Sequence, residues 1–130
     1  MSVELRMLVW AVVLGLVQIA IAATLTTSQR GFAWGVGARD DTSGTLTPLA
    51  GRCVRASANF LETFPLFAVA LIAVVLAGKT GDQSRFGAWL YVIARVAYTP
   101  VYALGLPIVR TVIWAFSMIG ILMVILAYFL

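Results

Sequence analysis

Histidine is missing from this sequence, and cysteine occurs once, as Cys53. A single cysteine rules out a disulfide within the chain, and without histidine the softer metal ligands are nearly gone, so no metal site is expected. Acidic residues are scarce, five against nine lysines and arginines, and charged residues of both signs make up only 11% of the 130. Hydrocarbon takes their place: 62% of the residues are hydrophobic and the mean hydropathy is +1.03, outside the range of soluble domains. The chain reads as an all-α integral membrane protein, long enough for about four spans of roughly 20 residues with short connections, in one domain over 1–130. The formal charge of +4 does not point to nucleic acid, because the arginines are scattered among spans and loops instead of running together.

The first apolar run, Leu5 to Thr26, is broken only by Gln18. Ala20-Ile21-Ala22 has the small-x-small look of a signal cleavage site, but the run exceeds the roughly 7–15 residues of a signal core and Glu4 spoils the basic start. A retained helix over about 5–26 is expected. From Thr27 to Gly51 the composition turns to Thr, Ser, Gly, Asp and Arg, a solvated loop centred on residues 35–44 and carrying Arg30 and Arg39. A second helix is expected over 49–77, with a kink at Pro65, then a tight connection from Gly78 to Ser84. The third helix is expected over 85–104, kinked at Pro100, and the last over 107–130, with Pro107 in its first turn.

The polar residues inside these spans are few and patterned. Arg52, Arg55, Asn59 and Glu62 fall within roughly 80° of one another on a helix. Each ionised group costs about 2.5–3.5 kcal/mol near the bilayer centre, so such a stripe marks a functional site, with interhelical glue or a snorkelling rim as the alternative. On the third helix Arg95, Tyr98 and Tyr102 lie at i, i+3 and i+7, and Arg110 and Thr111 sit in the first turn of the fourth. The tyrosines could belong to an interfacial aromatic belt and Arg110 could snorkel, but Arg95 is mid-span. Glu62 and Arg95 are the acid and the base most deeply placed, and they are expected to pair within the subunit or across to the next. Short turns bring the start of the second helix, the end of the third and the start of the fourth to one membrane face. Arg52, Arg55, Asn59, Tyr98, Tyr102 and Arg110 should therefore converge there. That face also holds Arg30 and Arg39, against Arg6, Lys79 and Arg85 on the other, a modest bias by which the face is expected in the cytoplasm and both termini outside.

These residues resemble a known pattern. Arg55-Ala56-Ser57-Ala58-Asn59-Phe60-Leu61-Glu62-Thr63-Phe64-Pro65-Leu66-Phe67 is similar to the R-A-x-x-N-x-x-E-x-x-P-x-F signature of the MAPEG family, the membrane-associated proteins of eicosanoid and glutathione metabolism. Ala94-Arg95-Val96-Ala97-Tyr98-Thr99-Pro100-Val101-Tyr102 resembles its third-helix motif, A/G-R-x-x-H/Y-x-x-x-Y. The resemblance implies a four-transmembrane-helix subunit, a homotrimer, and a glutathione site between subunits at the cytoplasmic face. It implies that Arg55, Asn59, Glu62, Tyr98 and Tyr102, with a first-loop arginine (Arg30 or Arg39), contact glutathione, and that Arg110 activates its thiol. Ala58 stands where some prostaglandin-synthase members have another arginine. The implied activity is a glutathione transferase or peroxidase acting on lipophilic electrophiles, with glutathione as co-substrate and no metal. A non-catalytic lipid-binding scaffold of the same fold and a small multidrug exporter are the alternatives. The chain is expected to be multi-pass, in the inner or plasma membrane if bacterial, among membrane lipids and without a nucleic-acid partner.

Overall fold

The computed structural model describes residues 2–40 and 46–130. Residues 41–45, in the middle of the expected first loop, lie outside the described residues. Five helices follow in order: α1 Val3–Arg30, α2 Phe32–Val36, α3 Pro48–Leu76, α4 Asp82–Ala103 and α5 Pro107–Phe129. No strand occurs among the described residues.

The helix boundaries follow from local chemistry. The Ser2 hydroxyl accepts the Leu5 N–H at 3.2 Å and starts α1 before its apolar run begins. The helix then continues past Thr26 to Gly31, whose φ of 95° suits glycine and stops it. One further turn, α2, follows in a segment whose composition reads as loop. At the start of α3, Thr47 accepts the Ala50 N–H at 3.3 Å and Pro48 occupies the first turn. Gln29 at the end of α1 exchanges two hydrogen bonds with Thr47, each 2.9 Å, which clamps the end of α1 to the start of α3. Pro65 and Pro100 stay inside unbroken helices.

α1 packs on α3 and α4, α3 also on α4 and α5, and α4 most extensively on α5. Successive long helices alternate in direction, so α1 and α4 run parallel. The shared core holds Phe60, Phe67, Leu71, Tyr91 and Val124, each 1% exposed or less. Tyr91 stacks on Phe67 with centroids 4.0 Å apart, and its hydroxyl lies 2.9 Å from that of Thr63. At the end where α1 and α4 begin, the buried Glu4 carboxylate accepts the Ser84 hydroxyl, while Ser84 accepts the Gly81 N–H. A hydrogen bond to a charged group contributes about 1.5–3 kcal/mol, and here it fixes the register of the two parallel helices.

The outside of the bundle is as apolar as its inside: Leu16, Leu66 and Ile108 are 62%, 63% and 79% exposed. α1, α3 and α5 are each long and apolar enough to cross a membrane. Closed helices whose backbone bonds are internal and whose outer faces are hydrocarbon are the form that lipid tolerates.

The α4–α5 contact depends on two glycines. A Cβ on Gly120 would stand 2.8 Å from the Gly87 carbonyl and 2.8 Å from the Tyr91 nitrogen, and a Cβ on Gly87 would meet the Gly120 carbonyl at 2.8 Å. Both obstacles are backbone, so the helices must separate. Gly120→Ala and Gly87→Ala should each destabilise the bundle by about 1–3 kcal/mol, with the double variant losing less than the sum. Thermal unfolding in detergent measures this, and single variants that melt with the parent contradict so close a packing.

Candidate functional site

Three helix ends and one turn build a cleft of about 210 Å³ lined by Arg52, Arg55, Tyr102, Gly105, Leu106, Pro107 and Arg110. Arg52 and Arg55 come from the first two turns of α3, Tyr102 from the last turn of α4 and Arg110 from the start of α5. The turn between α4 and α5 is made by Gly105 at φ 75° and Pro107, which is preset for the first turn of a helix. Arg52 Nε donates to the Ala103 carbonyl at 2.8 Å, so a cation caps the negative end of α4. Arg55 Nε donates to the Tyr102 hydroxyl at 3.1 Å. The Arg110 guanidinium lies 4.9 Å from the centroid of the Tyr102 ring and also neighbours the Tyr98 hydroxyl. The Thr111 hydroxyl is used locally, donating to the Pro107 carbonyl at 2.9 Å.

No carboxylate among the described residues pairs with these arginines. Among the described residues the one ion pair joins Arg85 to Asp82, at the opposite end of the bundle. Three guanidinium groups gathered around one small cleft repel one another unless an anion joins them, and their planar forks suit carboxylates.

Beneath the cleft lies Arg95, with no exposed surface. Its Nη2 donates to Asn59 Oδ1 at 2.9 Å, and its guanidinium carbon sits 4.2 Å from the Tyr98 ring centroid and 5.6 Å from that of Phe60. Tyr98 in turn packs on Tyr102 at 5.6 Å. A continuous stack, Arg95–Tyr98–Tyr102–Arg110, connects the buried cation to the cleft. Arg95 Nε and Nη1 and the Thr99 hydroxyl find no hydrogen-bond partner within the described chain, nor does the buried amide of Gln18 on α1.

The structure thus brings Arg55, Tyr102 and Arg110 to one cleft, seats Tyr98 directly behind it, and turns Asn59 away from it onto Arg95. Glu62 is on the exposed side of α3. The Glu62–Arg95 pair is therefore not formed within the subunit: Asn59, one turn earlier on α3, takes the guanidinium. Arg30 and Arg39 do not line the cleft either. Both lie over the ring of Trp34 on α2, at 4.8 and 5.4 Å, and Arg39 also donates twice to the Gly35 carbonyl, at 3.0 and 2.8 Å. Arg39, with Trp34, borders a separate hollow of about 310 Å³ between α1 and α3 whose α3 wall includes Ser57, Ala58 and Leu61. Arg52 joins the cleft although the family pattern gives it no role. Its place in the polar stripe, one turn before Arg55, is the signal that marks it.

A family model described as MAPEG family matches residues 7–130, nearly the whole chain. No curated protein and no solved structure matches the chain.

The buried Arg95–Asn59 contact can be tested by itself. Asn59→Leu removes the acceptor and strands a charged donor, which should cost about 1.5–3 kcal/mol. Arg95→Met in the Asn59→Leu background should recover part of that loss, because an apolar pair needs no acceptor. Denaturant or thermal melts of Asn59→Leu, Arg95→Met and the double variant measure the coupling; strictly additive losses would show that the two residues act separately.

Proposed function

Since the chain belongs to the MAPEG family, we propose that it is a membrane-bound glutathione transferase or peroxidase acting on lipophilic electrophiles. The observation that carries this reading is the cleft of Arg52, Arg55 and Arg110 around Tyr102, without an acid among its described lining residues. Glutathione brings two carboxylates, one ammonium and one thiol. Arg52 and Arg55 can hold a carboxylate through paired N–H donors, and Tyr102 supplies a hydroxyl. The chain needs no nucleophile of its own, because the sulfur arrives with the co-substrate. In the transfer reaction the thiolate forms a bond to an electrophilic carbon, and the leaving group departs with its electron pair. In the peroxidase reaction the thiolate takes the terminal oxygen of a hydroperoxide and leaves an alcohol; a second glutathione then gives the disulfide and water.

Arg110 holds the sulfur as its anion in this reading. A free thiol titrates near 8.5, and lowering that by about two units takes roughly 2.7 kcal/mol of preference for the thiolate. One guanidinium at about 3.5 Å and an effective dielectric near 20 offers up to about 4.7 kcal/mol before desolvation, so a single arginine suffices. Its place in the first turns of α5 adds a favourable helix dipole.

The full proposal is a homotrimer of four-span subunits, α4 being the fourth span, with the site completed between subunits and facing the cytoplasm. Glu62 supports assembly, because an acid on the lipid side of α3 is costly unless a neighbouring subunit covers it. In that assembly Glu62 faces the neighbouring subunit but not its Arg95, which has no exposed surface, and Arg30 or Arg39 is available to the next subunit's cleft. Native mass spectrometry in mild detergent should give trimers, and Glu62→Gln should weaken them; monomers or dimers of the parent count against the assembly. For orientation, Lys79→Cys should react with an impermeant thiol reagent from outside the cell, and labelling from the cytoplasmic side alone reverses the topology.

Arg110→Ala tests the activity. We expect turnover of a model electrophile to fall tenfold or more, while calorimetry still detects glutathione bound through Arg52 and Arg55; a tenfold change corresponds to about 1.4 kcal/mol. The ultraviolet absorbance of bound thiolate should be present in the parent and absent in the variant. A variant that keeps both thiolate and turnover makes Arg110 a rim residue. A parent that neither binds glutathione nor turns over an electrophile favours the non-catalytic lipid-binding scaffold of the same fold.

A further inference from the structure

α1 and α4 run side by side in the same direction, their first turns joined through Glu4 and Ser84, and each opens with the same sequence of chemistry. An exposed arginine is followed one turn later, on the same helix face, by a tryptophan: Arg6 and Trp10 on α1, Arg85 and Trp89 on α4. The two indoles, 59% and 47% exposed, head an apolar trough of about 600 Å³ between the helices, continued by Val92, Ile93, Val96 and Pro100. A second hollow of about 270 Å³ shares Trp10, Val92 and Val96 with it and extends it along α1 to Val17. From Trp89 to Pro100 the trough follows about eleven residues of helix, roughly 16 Å at 1.5 Å per residue, the depth of one leaflet of a roughly 30 Å hydrocarbon core.

The charge at the head of the trough is positive. Helical side chains lean toward the N-terminus, so Arg6 and Arg85 lie on the headgroup side of the tryptophans. Lys79 stands exposed in the adjoining connection. The acids at this end are Asp82, which engages Arg85 through one N–H at 3.3 Å, and Glu4, which is buried against Ser84.

We propose that the trough is a binding site for an anionic phospholipid, with one acyl chain lying along α1 and α4 and the phosphate seated on Arg6 and Arg85. Guanidinium groups present paired donors to phosphate oxygens, and indoles sit at the boundary between headgroup and acyl chain. A basic mouth above an apolar slot between helices selects a lipid of net negative charge over a zwitterionic one. The proposal rests on the membrane setting alone and is independent of the glutathione reading.

Native mass spectrometry of the intact assembly in mild detergent tests it, using phosphatidylglycerol and phosphatidylcholine with identical chains. Two arginines at the mouth should retain phosphatidylglycerol at about tenfold lower lipid concentration. Arg6→Gln/Arg85→Gln should bring the two lipids level, and Arg6→Lys/Arg85→Lys, which keeps the charge, should keep most of the preference. Ala97→Phe, which fills the trough, should weaken retention of both lipids. Equal retention by the parent, or a preference that survives the glutamine variant, overturns the proposal. So does an Ile93→Cys variant that cross-links two copies within a bilayer, since a second copy would then occupy the trough.

Discussion

A guanidinium with no exposed surface, held among apolar helices, is the constraint on which the rest of this structure depends. Stranding such a charge costs several kcal/mol, and three side chains answer Arg95. Asn59 accepts one of its hydrogen bonds, and the faces of Tyr98 and Phe60 lie against the cation. Each answer fixes something else. The Asn59 bond sets how α3 sits against α4, while Phe60 packs against α1 so closely that a Cβ at Gly15 would come within 2.9 Å of its ring. The Tyr98 ring, held from below, supports Tyr102, and Tyr102 receives Arg55 at its hydroxyl and Arg110 over its face. The geometry of the cleft is thus inherited from the burial of one charge about two turns below it.

The two ends of the bundle manage charge differently, and the membrane explains why. At the cleft end three arginines are arranged around a small space with no acid among its described lining residues, an electrostatic demand that an anionic ligand meets. At the other end the acid is buried and the bases are outside: Glu4 is spent on Ser84 to align α1 with α4, which leaves Arg6 and Arg85 at the lipid boundary. Between the ends the outer faces are hydrocarbon, so nearly all the polar chemistry is confined to the rims and to the Arg95 layer.

Much of this was legible in the sequence because apolar runs, prolines and glycines punctuate the chain strongly, and because ionised residues are so few that each must be accounted for. The arginine stripe of α3, the tyrosines of α4 and Arg110 could be placed at one end from connection lengths alone. Four features were not legible. α2 is a single turn inside a segment of loop composition, set by Gly31 and too short to show a period. The partner of Arg95 within the subunit is Asn59 and not Glu62, a choice made by one turn of helix and by which face of α3 meets α4. Glu4 looked like an interruption of a basic terminus, since nothing near it in sequence announces Ser84, eighty positions away. The tightest helix contact, Gly87 on Gly120, also depends on two residues whose pairing only the packed structure reveals.

The central claim is that the arginine cleft recognises the carboxylates of glutathione. Calorimetric titration of the detergent-solubilised protein with glutathione, and separately with its diethyl ester, in which both carboxylates are masked, tests it most directly. The account predicts saturable binding of glutathione and a loss of at least tenfold in affinity for the ester, about 1.4 kcal/mol or more. Equal affinity for the two compounds, or no binding of glutathione at all, would contradict it.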